Sequence, residues 1–127
     1  MHKVVVSRAQ ALVSITASGF VDVAGLEAAA TDLHAAIRSL EEQAGTHVTL
    51  YDLTEVKVFS PVVLELFAAY WNNPAVPFGR RIAVVSISPL VSQQMARVQA
   101  GRDTIRVFAD RREALGWLLA ADTERPS

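Results

Sequence analysis

The sequence predicts an α/β protein: a mostly parallel five-stranded sheet, an antiparallel hairpin at its N-terminus and about four helices. Three observations carry that prediction. From residue 46 onward, short β-branched runs alternate with segments of helical apolar period, the pattern of strands joined by crossover helices. The first two strand-like runs are separated only by Arg8-Ala9-Gln10, too short for a crossover, so they pair as a hairpin. Two different strands also end on the same punctuation, Ser60-Pro61 and Ser88-Pro89.

A chain of 127 residues with 51% hydrophobic and 20% charged residues has material for one sizeable core and little room for two. No linker-like composition interrupts it, so residues 1–120 are expected to form one domain and residues 121–127 a flexible tail. With no cysteine there is no disulfide framework, thiolate metal site or cysteine nucleophile. The apolar run Val4-Val5-Val6 falls short of the seven or so residues of a signal peptide. No stretch reaches the roughly 18 apolar residues of a membrane span, and a soluble cytoplasmic protein is expected.

Net charge is −1, but unevenly spread: residues 1–79 hold 4 Lys/Arg against 8 Asp/Glu, and residues 80–127 hold 8 Arg against 5 Asp/Glu. The arginines are interspersed with acids rather than clustered with aromatics, which argues against a nucleic-acid surface.

Taken in order, Lys3 to Ser7 and Ala11 to Ser18 are strands, the second alternating Leu12, Ser14, Thr16 and Ser18 with Val13, Ile15 and Ala17. Asp22 is placed to cap a helix whose apolar stripe runs Val23, Leu26, Ala30, Leu33, Ile37, Leu40 and Ala44, with Gly45 closing it. Thr46 to Leu53, almost continuously apolar or β-branched, is the central strand, buried on both faces. A helix follows from Pro61 to Trp71, stopped by Asn72-Asn73-Pro74. The loop beyond it, with Trp71 and Phe78, either packs on the domain or offers an interface patch. Ile82 to Ile87 is the next strand, Pro89 to Gly101 the next helix, and Thr104 to Phe108 a strand that Arg106 assigns to the sheet edge. Asp110 to Glu113 has a capping-box pattern and opens the last helix.

The enzyme motifs of phosphate loops, dinucleotide folds and hydrolase elbows are missing, and no cofactor is expected. His2, His34 and His47 have no spacing that suits a metal, and His47 sits at the start of its strand, opposite the usual ligand edge. Asp52, with Thr54 beside it, lies near the carboxyl end of the central strand, where functional carboxylates of open sheets gather. A carboxylate there also serves as an acceptor for loop N–H groups. Ser60 and Ser88 each stand where an N-cap belongs, with proline at the first helical position. If their strands are parallel neighbours, both helix N-termini open on one edge, able to hold an anion or simply well-made helix starts.

Leu50-Tyr51-Asp52-Leu53-Thr54-Glu55-Val56-Lys57-Val58-Phe59-Ser60-Pro61 and the element order resemble the STAS domain of bacterial anti-sigma-factor antagonists and sulfate transporters. The second half, through Gly79-Arg80-Arg81-Ile82 and Ala114-Leu115-Gly116-Trp117-Leu118, is similar to small SpoIIAA-like proteins, which are grouped with STAS and CRAL/TRIO-type domains. The resemblance implies a SpoIIAA-like fold and a non-enzymatic regulatory role through contact with another protein or a second copy of the chain. Aligned on Asp52-Leu53-Thr54, the family's phosphorylated serine falls on Pro61 and the acid before it on Ser60, so that phosphosite does not carry over. Phosphorylation of Ser60 itself would be a separate switch. The rival expectation is a small apolar or anionic ligand, lipid- or nucleotide-like, at the strand carboxyl edge between Ser60, Ser88 and the loop after Trp71.

Overall fold

Runs of alternating or continuous apolar residues become strands at His2–Ser7 (β1), Leu12–Ser18 (β2), Val48–Glu55 (β3), Arg81–Val85 (β4) and Ile105–Phe108 (β5). Helices occupy Val23–Arg38 (α1), Pro61–Trp71 (α2), Pro89–Gln99 (α3) and Arg111–Leu119 (α4), with a 3₁₀ turn at Glu41–Gln43. The computed structural model describes residues 1–73, 79–99 and 103–120, so residues 121–127 of the expected tail lie outside it.

The strands pair in chain order, β1-β2-β3-β4-β5. β1 runs antiparallel to β2, setting Val4 against Ile15 and Val6 against Val13, as the short link between them requires. The other three pairings are parallel. Crossovers between parallel strands are right-handed. Strands added stepwise in one direction with that hand put every crossover helix on the same face.

Accordingly α1, α2 and α3 share one face of the sheet. Leu26, Leu33, Ile37, Val63, Phe67, Val91 and Met95 pack there on Val13, Ile15, Tyr51, Leu53, Val84 and Ile105. The other face is covered by α4, whose Ala114 and Leu118 meet Leu12, Val48, Leu50, Ala83 and Val85. β3 therefore has apolar cover on both sides, which is why its sequence barely alternates. Arg106 on β5 is exposed, in keeping with an edge strand.

The apolar stripe of residues 23–44 overstates its helix. α1 stops at Arg38, not Ala44, because the Ser39 hydroxyl donates to the Ala36 carbonyl at 2.6 Å, and Glu41 takes a φ of 53°. Leu40 stays buried, so the stripe continues through a 3₁₀ turn rather than an α-helix. Gly45 has φ 97° but turns the chain into β3 and does not close α1. The end of α1 is capped from elsewhere: Arg8, in the hairpin turn, donates to the Ser39 carbonyl at 2.6 Å.

The end of α4 is finished in the same way. Its last turn has no basic residue. Arg80 donates to the Leu118 and Ala120 carbonyls at 3.1 and 3.2 Å, and Arg81 to the carbonyls of Trp117 and Ala120. The guanidinium groups of Arg81 and Arg106 also lie 5.3 and 5.1 Å from the Trp117 ring centroid. Part of the positive charge of the second half is thus spent inside the fold.

Gly79, which leads into β4, has φ 99°, and a Cβ there would stand 2.2 Å from the His47 carbonyl oxygen. The close approach lets the Arg80 amide donate to that carbonyl at 2.8 Å. Gly79→Ala is expected to destabilise the protein by more than about 1 kcal/mol. Gly116→Ala, inside α4 with open space around it, should stabilise by about 1 kcal/mol. Urea unfolding of the two variants beside the parent checks both signs.

Candidate functional site

The carboxyl edge of the sheet is shaped by how β3 and β4 hand over to their helices. After β3, the Val56 amide donates to the Leu53 carbonyl at 3.0 Å. Val56 and Phe59 point into the core, which leaves Lys57 and Val58 outside. The Ser60 hydroxyl then accepts from the Val63 amide at 3.4 Å, with Pro61 at the first helical position of α2. Position 61, a proline, has no hydroxyl to carry a phosphate.

After β4, the buried Ser86 hydroxyl accepts from the Ser88 amide at 3.2 Å. The Ser88 hydroxyl accepts from the Val91 amide at 3.3 Å and donates to the Lys57 carbonyl at 3.0 Å. Gln94 on α3 completes the union. Its amide nitrogen donates to the Phe59 carbonyl at 2.8 Å and its amide oxygen accepts from the Phe59 N–H at 3.0 Å. The two Ser-Pro starts, expected to share an edge if β3 and β4 were parallel neighbours, are joined by three hydrogen bonds.

Both serine hydroxyls are occupied by capping, and the side chains they leave outward are apolar. Val58, Val62, Ile87 and Leu90 are all exposed, Ile87 at 69%. Phe20, 73% exposed, stands on the neighbouring β2–α1 loop, and a shallow groove between Gly19, Phe20, Glu55, Lys57 and Val58 connects the two loops. Met1 joins them because antiparallel β1 begins beside the end of β2, with His2 opposite Ala17. Of eight exposed large apolar side chains among the described residues, six sit on this edge. Sequence periodicity foreshadows two: Val62 and Leu90 are apolar positions in the first turns of α2 and α3 that the buried sets Val63-Phe67-Trp71 and Val91-Met95 leave out.

Asp52 and Thr54 lie together but on the other face, beneath α4. One Asp52 carboxylate oxygen accepts from the Thr54 amide and hydroxyl at 3.1 and 2.8 Å. The other pairs with Arg111, in the first turn of α4, at 2.9 Å. Burial by itself pushes the carboxyl up, but the Thr54 hydrogen bonds and the Arg111 guanidinium outweigh it and hold Asp52 below the usual carboxylate range. A carboxylate held this way is a loop and helix anchor, and Arg111 gave no sign in the sequence of being its partner.

Trp71 is core. It is 4% exposed, stacks edge-on against Phe67 and Tyr51, and donates from Nε1 to the Tyr51 hydroxyl at 3.2 Å. It therefore forms no interface patch, because the aromatic floor of the sheet claims it; Phe78 lies outside the described residues. His47 is wholly buried at the start of β3, where its Nδ1 accepts from the Gly45 amide at 3.1 Å, and burial pushes its pKa down against a backbone hydrogen bond at Gln43. His2 pairs with Asp32 on α1 at 2.6 Å. Among the described residues, no three His, Asp or Glu side chains group as metal ligands, and no helix is long and apolar enough to cross a membrane.

No protein family and no curated protein matches the sequence. The fold has solved counterparts. An uncharacterized protein of the DUF3478 family from Shewanella loihica PV-4, described as having a SpoIIAA-like fold, superposes with a TM-score of 0.66 at 20% identity over 92% of this chain and 93% of its own. An anti-sigma factor antagonist from Mycobacterium paratuberculosis superposes with a TM-score of 0.56 at 18% identity, over 93% and 94%. This chain is an α/β domain with the SpoIIAA-like fold.

The folded pKa of Asp52 lies below its unfolded value, so its contribution is complete above the unfolded pKa, about 3.9, and is lost as pH falls through the folded one. The stability gap between the parent and Asp52→Asn should therefore be largest at pH 5 and above and shrink towards pH 2. Urea midpoints of both proteins across that range check it.

Proposed function

We propose that this domain acts by binding another protein, as a regulatory module without turnover, and that its contact surface is the carboxyl edge of the sheet. One observation carries the reading: six of the eight exposed large apolar side chains among the described residues gather there. Exposed apolar side chains scattered singly need no explanation, whereas their concentration on one edge marks a contact site. The two helix starts that present four of them are pinned together by Gln94 and Ser88, so the surface is held in shape before a partner arrives.

A protein sharing this fold is an anti-sigma factor antagonist, which by that description acts on another protein. The engagement of Asp52 with Thr54 and Arg111 also supports binding over catalysis, since a carboxylate so held is a weak base at neutral pH. The edge suits a protein better than an anion: the Ser60 and Ser88 hydroxyls already cap their helices, and their outward neighbours are apolar.

The test is a Val62→Glu/Ile87→Glu double variant. Both side chains are exposed, so its unfolding free energy from urea titration should stay within about 0.5 kcal/mol of the parent. A partner purified with the parent should then lose at least tenfold in affinity, the scale of one buried contact or more. Hydrogen exchange should slow at residues 57–62 and 87–92 on binding. Sedimentation of the parent alone tells whether a second copy is that partner. Full affinity in a folded double variant, or turnover by the parent on a metabolite panel, would overturn the reading.

A further inference from the structure

Between α1, α2 and the sheet lies a cavity of about 290 Å³, on the face away from α4. Its origin is in the sequence of α1. The buried stripe carries Leu26, Leu33 and Ile37 but drops to Ala30 between them, with Gly25 and Ala29 beside it, while α2 and β3 answer with Phe67, Trp71 and Tyr51. Small residues facing large rings leave the two helices apart where they would otherwise interlock. Protein interiors rarely keep voids much larger than a water molecule. The cavity reaches the surface at Met1 and Phe20, both strongly exposed, so it has an entrance.

Its chemistry defines an occupant. The walls are largely aromatic and aliphatic and no lysine or arginine lines them; the Met1 ammonium, at the exposed mouth, donates to the Ser18 carbonyl, and His2 is paired with Asp32. His34, which also lines them, has its pKa pushed down by burial and by Arg38, which favours its neutral form. An anionic ligand would lose its hydration without compensation. Tyr51 is the polar anchor: it is 7% exposed, its hydroxyl oxygen accepts from Trp71 Nε1, and its own proton has no acceptor among the described residues. A dry cavity of 150 Å³ takes benzene, so one about twice that size takes two fused rings.

We propose that this cavity binds a small neutral aromatic molecule of about two fused rings, whose hydrogen-bond acceptor receives the Tyr51 hydroxyl proton. Aromatic walls hold such rings edge-to-face or offset. The cavity opens on the protein-binding edge at Met1 and Phe20, but Val62 and Ile87 of that edge do not line it.

Quinoline, neutral and bicyclic with a ring-nitrogen acceptor, is the probe; naphthalene lacks the acceptor and 2-naphthoate adds a charge. Calorimetry and the amide spectrum of the parent should show saturable quinoline binding with shifts in α1, α2 and β3, and 2-naphthoate should bind far more weakly. Tyr51→Phe should weaken quinoline about tenfold and leave naphthalene unchanged. Ala30→Leu should abolish binding of both while keeping or raising the urea midpoint, since the added side chain fills existing space. The Val62→Glu/Ile87→Glu variant should bind quinoline as the parent does, which separates this site from the edge. A cavity holding only water would show no saturable binding, and that result overturns the proposal. So does quinoline binding unaffected by Ala30→Leu or by Tyr51→Phe, or a collapse in stability on Ala30→Leu.

Discussion

The handedness of the crossovers decides the rest of this structure. Because β2 to β5 are laid side by side in chain order, right-handed connections leave α1, α2 and α3 no choice of face. One side of the sheet receives three helices and the other only α4. The thick side has enough bulk to enclose a cavity. The thin side depends on a single short helix, tied at its start by Arg111 to Asp52 and at its end by Arg80 and Arg81. Their parallel pairing brings the exits of β2, β3 and β4 to one edge, where the outward apolar residues collect.

Local rules made much of this readable in advance. The strand–helix alternation, the hairpin, the edge position of β5 and the caps at Asp22, Ser60 and Ser88 follow from spacing and residue type, and the structure has them. The misreadings have physical causes. Apolar period does not distinguish an α-helix from a helix that tightens into a 3₁₀ turn while keeping the same side chains buried, which is how residues 39–44 deceive. For Trp71, the last residue before Asn72-Asn73, the sequence leaves packing and an interface patch both open; it faces inward with Val63 and Phe67, eight and four positions before it.

The candidate site was legible only in part. Ser60 and Ser88 stand out in the sequence as a pair, but their union runs through Gln94, an unremarkable helix residue whose role exists only once α3 lies beside the β3–α2 loop. Asp52 and Thr54 are near neighbours in the sequence, but Arg111 is 59 positions away from Asp52 in the chain. The cavity was invisible because it arises from a mismatch of side-chain size between α1 and α2, and size matters only after the two are neighbours.

The dependence of the thin face on α4 also has a temporal side. On the ribosome α4 emerges after all five strands, so Leu12, Val48, Leu50, Ala83 and Val85 can pair into a sheet before anything shields them. For that interval the nascent chain presents an oily, half-built surface, the kind that chaperones grip and that sticks to its own kind. The arginines waiting at the head of β4 give the arriving helix a ready-made terminus, and its docking ends the exposure.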